Sequence, residues 1–274
     1  MAVVWITGAS SGLGLYTAKA IKAAGYTVVS GARSFDGKEG ESEEGFRLSL
    51  DVTKPESMDS FCQRALSLYG VPDCLVLCAG YLVWGSCEGY TQDEIRGVMN
   101  TNFFGQTEMI QRVLPMMRKQ GGGKIVCYSS INGVLSTPFQ GAYSASKHAL
   151  EGYCEALRME CEPFGVQVTL IEPGDHNGGS QTYRHISKGT GADSAYKSSF
   201  DRVHAVIDHD EGNGSDPAVL GRKVAKLLSK KKMPMRKCIA SADQHLSILL
   251  HRVLPGTLFA KIISGYYKVN GKKE

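Results

Sequence analysis

Tyr143 and Lys147 stand four residues apart in Ala142-Tyr143-Ser144-Ala145-Ser146-Lys147, the stretch of this chain best equipped for chemistry. Ala142, Ala145, Ala149 and Leu150 give the segment a helical pattern, and on a helix this spacing puts phenol and ammonium on one face. A free tyrosine titrates near ~10 and shuttles protons poorly at neutral pH. A cation held beside it favours the phenolate and draws its pKa toward working pH. Ser130, thirteen residues upstream, closes an apolar run from Lys124 that reads as a strand. A hydroxyl at a strand end and a tyrosine opening the next helix can reach one substrate oxygen. Taken singly, each has a plainer reading: Ser130 as a strand-end cap, Tyr143 as a surface aromatic, the Tyr-xxx-Lys pair as a chance helical spacing.

The elements that would position these groups begin at the N-terminus. Val3-Val4-Trp5-Ile6 is long enough for a buried strand and runs into Thr7-Gly8-Ala9-Ser10-Ser11-Gly12-Leu13-Gly14, followed by a helical pattern to Ala24. Strand, glycine-rich turn and helix together aim backbone N–H groups and a helix N-terminus at a phosphate. Gly8 permits the tight turn, Gly12 lets the backbone approach a pyrophosphate, and Gly14 lets the helix pack on the strand. Strand-like runs near 3–6, 26–31, 46–50, 74–79, 124–129, 166–172 and 237–240 alternate with helical patterns near 12–24, 55–69, 91–118, 142–163, 216–231 and 243–253. This alternation predicts an α/β fold: one doubly wound, Rossmann-like domain over 1–274 with about seven parallel strands and helices on both faces.

Taken together these motifs resemble the short-chain dehydrogenase/reductase family, in the family's order and separations, from Val3 to about Gly174. The resemblance implies that Gly8, Ser10, Ser11, Gly12, Leu13 and Gly14 form the dinucleotide loop and that Asp51 and Val52 flank the adenine. It implies that Ala79, Gly80, Pro173 and Gly174 lie along the cofactor. Asn102, Ser130, Tyr143 and Lys147 match the family's catalytic set. Tyr143 would exchange a proton with the substrate oxygen and Ser130 would hold that oxygen. Lys147 would bind the nicotinamide ribose, and Asn102 a water linking Lys147 to solvent; Asn100, two residues away, competes for that role. Two departures stand out. Leu77-Cys78-Ala79-Gly80 replaces the usual Asn-Asn-Ala-Gly, removing side chains that tie strands together, and no threonine follows Gly174 until Thr182.

NAD-preferring members carry an acid at the end of the second strand, where it accepts the ribose hydroxyls. Here Gly31-Ala32-Arg33-Ser34 stands in that place, so the expected cofactor is NADP(H), with NAD(H) left open. Tyr81, Val83, Trp84, Leu135 and Phe139 suggest an apolar substrate lining, with Trp84 and Phe139 touching a bulky hydrophobic alcohol or ketone. A hydroxysteroid or bile acid is the leading expectation. A retinoid or general carbonyl compound is the alternative, and a non-catalytic dinucleotide-sensing protein a further one. Residues 175–215 read as a polar substrate-binding loop. The apolar and basic tail, 254–274, has three open roles: packing on the subunit, lining the substrate site, or touching a membrane surface.

The 274 residues, 42% hydrophobic and 21% charged, suit a soluble globular protein of one α/β domain. The first strand starts too early for a signal peptide, and no apolar window is long enough for an integral membrane segment, so a cytoplasmic location is expected. The eight scattered cysteines and seven histidines suggest reduced thiols and no metal site. Eight basic residues between Arg222 and Lys237, with no acid among them, read as a solvated helix face over inward Leu220, Val224, Leu227 and Leu228 rather than a nucleic-acid or membrane patch. The resemblance implies a homodimer or homotetramer; the sequence does not reveal the subunit count.

Overall fold

A computed structural model describes residues 1–178 and 184–271; Thr182 lies outside the described residues. The strands are β1 (Val3–Thr7), β2 (Thr27–Ala32), β3 (Gly40–Ser42), β4 (Gly45–Ser49), β5 (Cys74–Leu77), β6 (Leu82–Trp84), β7 (Gly123–Tyr128), β8 (Val166–Pro173), β9 (Arg184–Ile186) and β10 (Arg236–Ile239). The helices are α1 (Gly12–Ala23), α2 (Pro55–Tyr69), α3 (Gln92–Met99), α4 (Gly105–Lys119), α5 (Gly141–Cys161), α6 (Lys197–Gly212), α7 (Pro217–Leu228), α8 (Ala242–Val253) and α9 (Gly256–Tyr266). The main sheet runs β10-β8-β7-β5-β1-β2-β4-β3. All neighbours are parallel except β3, a short antiparallel edge on β4 that the sequence reading missed. The winding reverses between β1 and β5, and in such sheets ligands enter the crevice at the carboxyl ends beside the reversal.

Alternation along the strands builds both faces of the core. Trp5, Leu75, Leu77, Ile125 and Cys127 point to one side, where Phe61 of α2, Ile110 of α4 and Leu150 of α5 cover them. Val4, Ile6, Val76, Val126 and Tyr128 point to the other, under Ala18 and Ile21 of α1 and Leu220 and Val224 of α7. Helix starts are locally encoded: Thr91 and Glu94 form a capping box on α3, and the Asp216 carboxylate accepts from Ala218 N at 2.8 Å before Pro217-led α7. The basic residues Arg222, Lys223 and Lys226 lie on the exposed side of α7, as expected of a solvated face. The segment 175–215 is not a loop throughout. It contains β9, paired with β6, and the helix α6, whose Phe200, Val203 and Ile207 are buried.

Candidate active site

The carboxyl ends of β1, β2, β5, β7 and β8 open into a cleft of about 660 Å³. Gly8, Ser10, Ser11, Leu13 and Gly14 form its floor at the N-terminus of α1. Gly8 adopts φ +70°, and a Cβ there would lie 2.7 Å from Ala79 Cα. A Cβ on Gly14 would lie 2.2 Å from the Gly8 carbonyl, so helix, turn and the segment after β5 close together only without side chains. That contact brings the N-terminus of α1 to the cleft, and first-turn N–H groups there suit a diphosphate. Arg33, exposed at the end of β2, and Asp51, Val52, Ala79, Gly80, Pro173 and Gly174 line the same cleft. Among the described residues no side chain engages the Arg33 guanidinium. Gly12 has φ +51° and stands just behind the lining.

Cys78 does not leave the strands untied. The Thr7 hydroxyl accepts from the backbone N–H groups of both Cys78 and Ala79 at 3.2 Å, joining β1 to the chain after β5. The hydroxyls of Tyr128 and Thr17 lie 2.5 Å apart, and Tyr128 also hydrogen-bonds the Cys78 thiol. Asn102 sits in a π-helical turn, Asn100–Phe104, between α3 and α4; such turns often mark functional positions. Its side chain is fully buried and occupied: it accepts from Tyr81 N at 2.7 Å and donates to Tyr81 O at 2.9 Å and Ser146 Oγ at 3.0 Å. Ser146 Oγ in turn donates to Tyr143 O at 2.7 Å, so Asn102 ties the chain after β5 to the helix that carries the tyrosine.

Ser130, Tyr143 and Lys147 all border the cleft. Ser130 follows β7, accepts from Asn132 N at 3.1 Å and stands near enough to the Tyr143 phenol to pull its pKa down. The approach to α5 is pinned at Phe139, whose backbone takes φ +61° and whose carbonyl accepts from Gly85 N at 2.9 Å and the Tyr90 hydroxyl at 3.1 Å. Lys147 is buried; its Nζ donates to Tyr128 O at 2.6 Å and lies 5.7 Å from the Tyr143 ring centroid. Burial lowers the ammonium to about 8. Burial also pushes the phenol up to about 12, against the pull of Ser130 and with the help of the Glu211 carboxylate. Desolvation therefore decides the resting state, and the phenol is protonated at neutral pH rather than depressed as the sequence led one to expect.

Trp84 and Phe139 stand back from the cleft. Trp84, 1% exposed, packs against His204 of α6 with ring centroids 4.9 Å apart, under the Arg184 guanidinium. Phe139 packs edge-on against Phe200 at 5.5 Å, so α6 covers both rings. Tyr81 does line the cleft, and so do Asp175, His176 and Glu211 of the expected substrate-binding segment, Tyr267 of the tail, and two residues the sequence reading missed, Asn132 and Gln140. Asn132 Nδ2 donates to Gln140 Oε1 at 2.7 Å, which braces the turn before Tyr143. Gln244 Nε2 donates to Asp175 Oδ2 at 2.6 Å, yet burial and the neighbouring Glu211, Asp210 and Asp243 carboxylates raise Asp175 to about 7. Glu211 sits 3.4 Å from Arg184 Nη1. A composition-based reading could have found Glu211 only by recognising α6 inside the polar segment.

A hydroxyl near a phenol, a buried amine beneath it and a glycine-lined helix N-terminus in one cleft suit proton and hydride exchange at a carbonyl. Comparison with known proteins agrees. The family model described as short chain dehydrogenase matches residues 2–186. A protein named 3-ketodihydrosphingosine reductase from Bacteroides thetaiotaomicron is 38% identical over 268 residues, covering 97% of this chain and 98% of that protein. The crystal structure of a short-chain dehydrogenase from Streptomyces avermitilis superposes with a TM-score of 0.79 at 29% identity over the whole of both chains. An alcohol dehydrogenase from Thermococcus sibiricus, complexed with 5-hydroxy-NADP, shares the fold with a TM-score of 0.70 at 24% identity, covering 88% of this chain and 97% of that one. The chain belongs to the short-chain dehydrogenase family and is an NAD(P)-dependent oxidoreductase.

Proposed function

We propose that this enzyme is an NADP(H)-preferring reductase that interconverts the ketone and secondary alcohol of a long-chain, amine-bearing lipid of the 3-ketodihydrosphingosine type. The observation that carries the chemistry is that the Ser130 hydroxyl, the Tyr143 phenol and Lys147 line one cleft with the glycine-rich turn. The bound dinucleotide supplies the hydride. Ser130 donates a hydrogen bond to the substrate oxygen, and Tyr143, protonated because its surroundings disfavour the phenolate, gives that oxygen its proton. The Lys147 ammonium then offsets the negative charge left on the phenol. Positioned proton transfer of this kind is worth ~10²–10⁴-fold in rate. Exposed Arg33 at the cleft supports NADP(H), since a 2′-phosphate would be attracted where an acid would repel it.

The substrate class rests on the full-length similarity to the sphingoid reductase and on the acidic end of the cleft. A 3-keto sphingoid carries an ammonium beside its ketone, and Asp175 and Glu211 border the same cleft as Tyr143. We place this substrate ahead of the hydroxysteroid expectation because a steroid offers those carboxylates no cation. Tyr143→Phe should lower turnover at least ~10²-fold while NADPH binding, followed by fluorescence, stays near normal. Unchanged turnover would overturn the proton donor. A free-amine 3-keto sphingoid should exceed its N-acetylated analogue at least tenfold in kcat/KM. Equal values, or faster turnover of hydroxysteroids, would remove the amine from the assignment.

A further inference from the structure

We infer that α8 and α9 form an interfacial patch that seats the protein on an anionic membrane surface beside the cleft. Leu246, Leu249 and Val253 recur on α8 at spacings of three and four, and Leu258, Ile262 and Tyr266 recur on α9 at spacings of four. Each is between 42% and 64% exposed. The inward faces already supply the packing: Ile248 and Phe259 close over Ile131 and Leu135. The outer stripes therefore add apolar surface that the fold does not use. From the start of α8 to Gly271 the chain carries Arg252, Lys261 and Lys268 against a single acidic side chain, Asp243 in the first turn of α8. Asp210, which accepts from the Tyr266 hydroxyl at 2.8 Å, marks the edge of the patch. Among the described residues no helix is long and apolar enough to cross a membrane, so the patch lies on the surface rather than spanning it.

Apolar stripes bordered by cations complement anionic headgroups over an acyl layer. A second copy meeting this face would bring one basic surface against another of the same sign, which offers its cations no complementary charge. The tail that carries the patch also reaches the cleft, because Tyr267, directly after α9, lines it. A docked enzyme would thus hold its cleft beside the lipid phase.

The test uses the full chain without substrate, so its outcome is separate from the substrate assignment. The protein is co-sedimented with vesicles of phosphatidylcholine alone or mixed with phosphatidylglycerol, at low and high salt. Binding should favour the anionic vesicles and weaken with salt. The double variant Leu249→Glu/Ile262→Glu should bind at least ~10-fold less while keeping its thermal transition and its activity on a water-soluble ketone. No vesicle binding, equal binding to both compositions, or undiminished binding of the variant would each overturn the inference. So would a fall in solution mass of the variant by light scattering, which would show a second copy covering the face.

Discussion

Replacing Glu172 by Gln should stabilise the folded enzyme at pH 8 and leave it nearly unchanged at pH 4. Glu172 lies on β8, immediately before Pro173 of the cleft wall, with its side chain 4% exposed. Its Oε1 is 3.3 Å from Arg236 Nε but makes no hydrogen bond. The same guanidinium holds Glu151 Oε2 at 2.9 Å and Glu155 Oε1 at 2.8 Å, so one cation serves three carboxylates. Burial, and then the charge of Glu151, raise Glu172 from the ordinary 4.5 to about 7. Between those values the folded chain binds more protons than the unfolded one. The contribution of this group therefore falls as pH rises from 4.5 through about 7 and stays level above. The full change amounts to about 3 kcal/mol.

Gln approximates the protonated acid and leaves Arg236 with its two closer partners, so the variant should gain about 1–3 kcal/mol at pH 8. Urea unfolding of both proteins from pH 4 to pH 9 measures this. The difference between the two curves cancels other titrating groups, including Asp175, which burial also raises to about 7. A variant less stable than the parent at pH 8, or a difference that does not vary with pH, would refute the reasoning.

Arg33→Asp should reduce the ratio of kcat/KM for NADPH over NADH at least tenfold, and an unchanged ratio would exclude Arg33 from cofactor choice. Gly14→Ala, which drives a Cβ to 2.2 Å from the Gly8 carbonyl, should cost about 1–3 kcal/mol and weaken NADPH binding; parental values in denaturation and cofactor titration would contradict this. Because burial lowers Lys147 to about 8, its ammonium is charged below that pH and lost above it. The rate of ketone reduction should accordingly decline as pH rises through 8, whereas a flat profile to pH 10 would remove the lysine charge from the mechanism.

The parts of this enzyme that were legible in the sequence are those set by local periodicity. Val4 and Ile6 alternating with Trp5 foretold a strand buried on both faces, and the glycine run after it foretold a turn closing on a helix. Ser130, Tyr143 and Lys147 converge because a strand end and a helix start meet at one edge of the sheet, which spacing alone can suggest. What spacing could not convey was occupancy. The Asn102 side chain looks available in the sequence, yet both of its polar atoms are taken by Tyr81 and Ser146 through contacts distant along the chain. Trp84 and Phe139 read as substrate-facing aromatics only while α6, which covers them, was read as loop.

The sign of the Tyr143 shift carries the same lesson into the chemistry. A lysine one helical turn away should lower a phenol, and in an open site it would. Here the Lys147 ammonium is directed to the Tyr128 carbonyl and is itself desolvated, while the phenol faces the Glu211 carboxylate from α6. Burial acts on both groups in the direction that removes charge, holding the acid protonated and drawing the base toward neutrality. Such a pair avoids charge separation at rest, and passing the phenol's proton to a substrate oxygen is the step that creates it. Adding charge at Glu211 makes the phenol harder to ionise. The resting state of the phenol therefore owes as much to α6, the element least visible in the sequence, as to the tyrosine and lysine that are most visible.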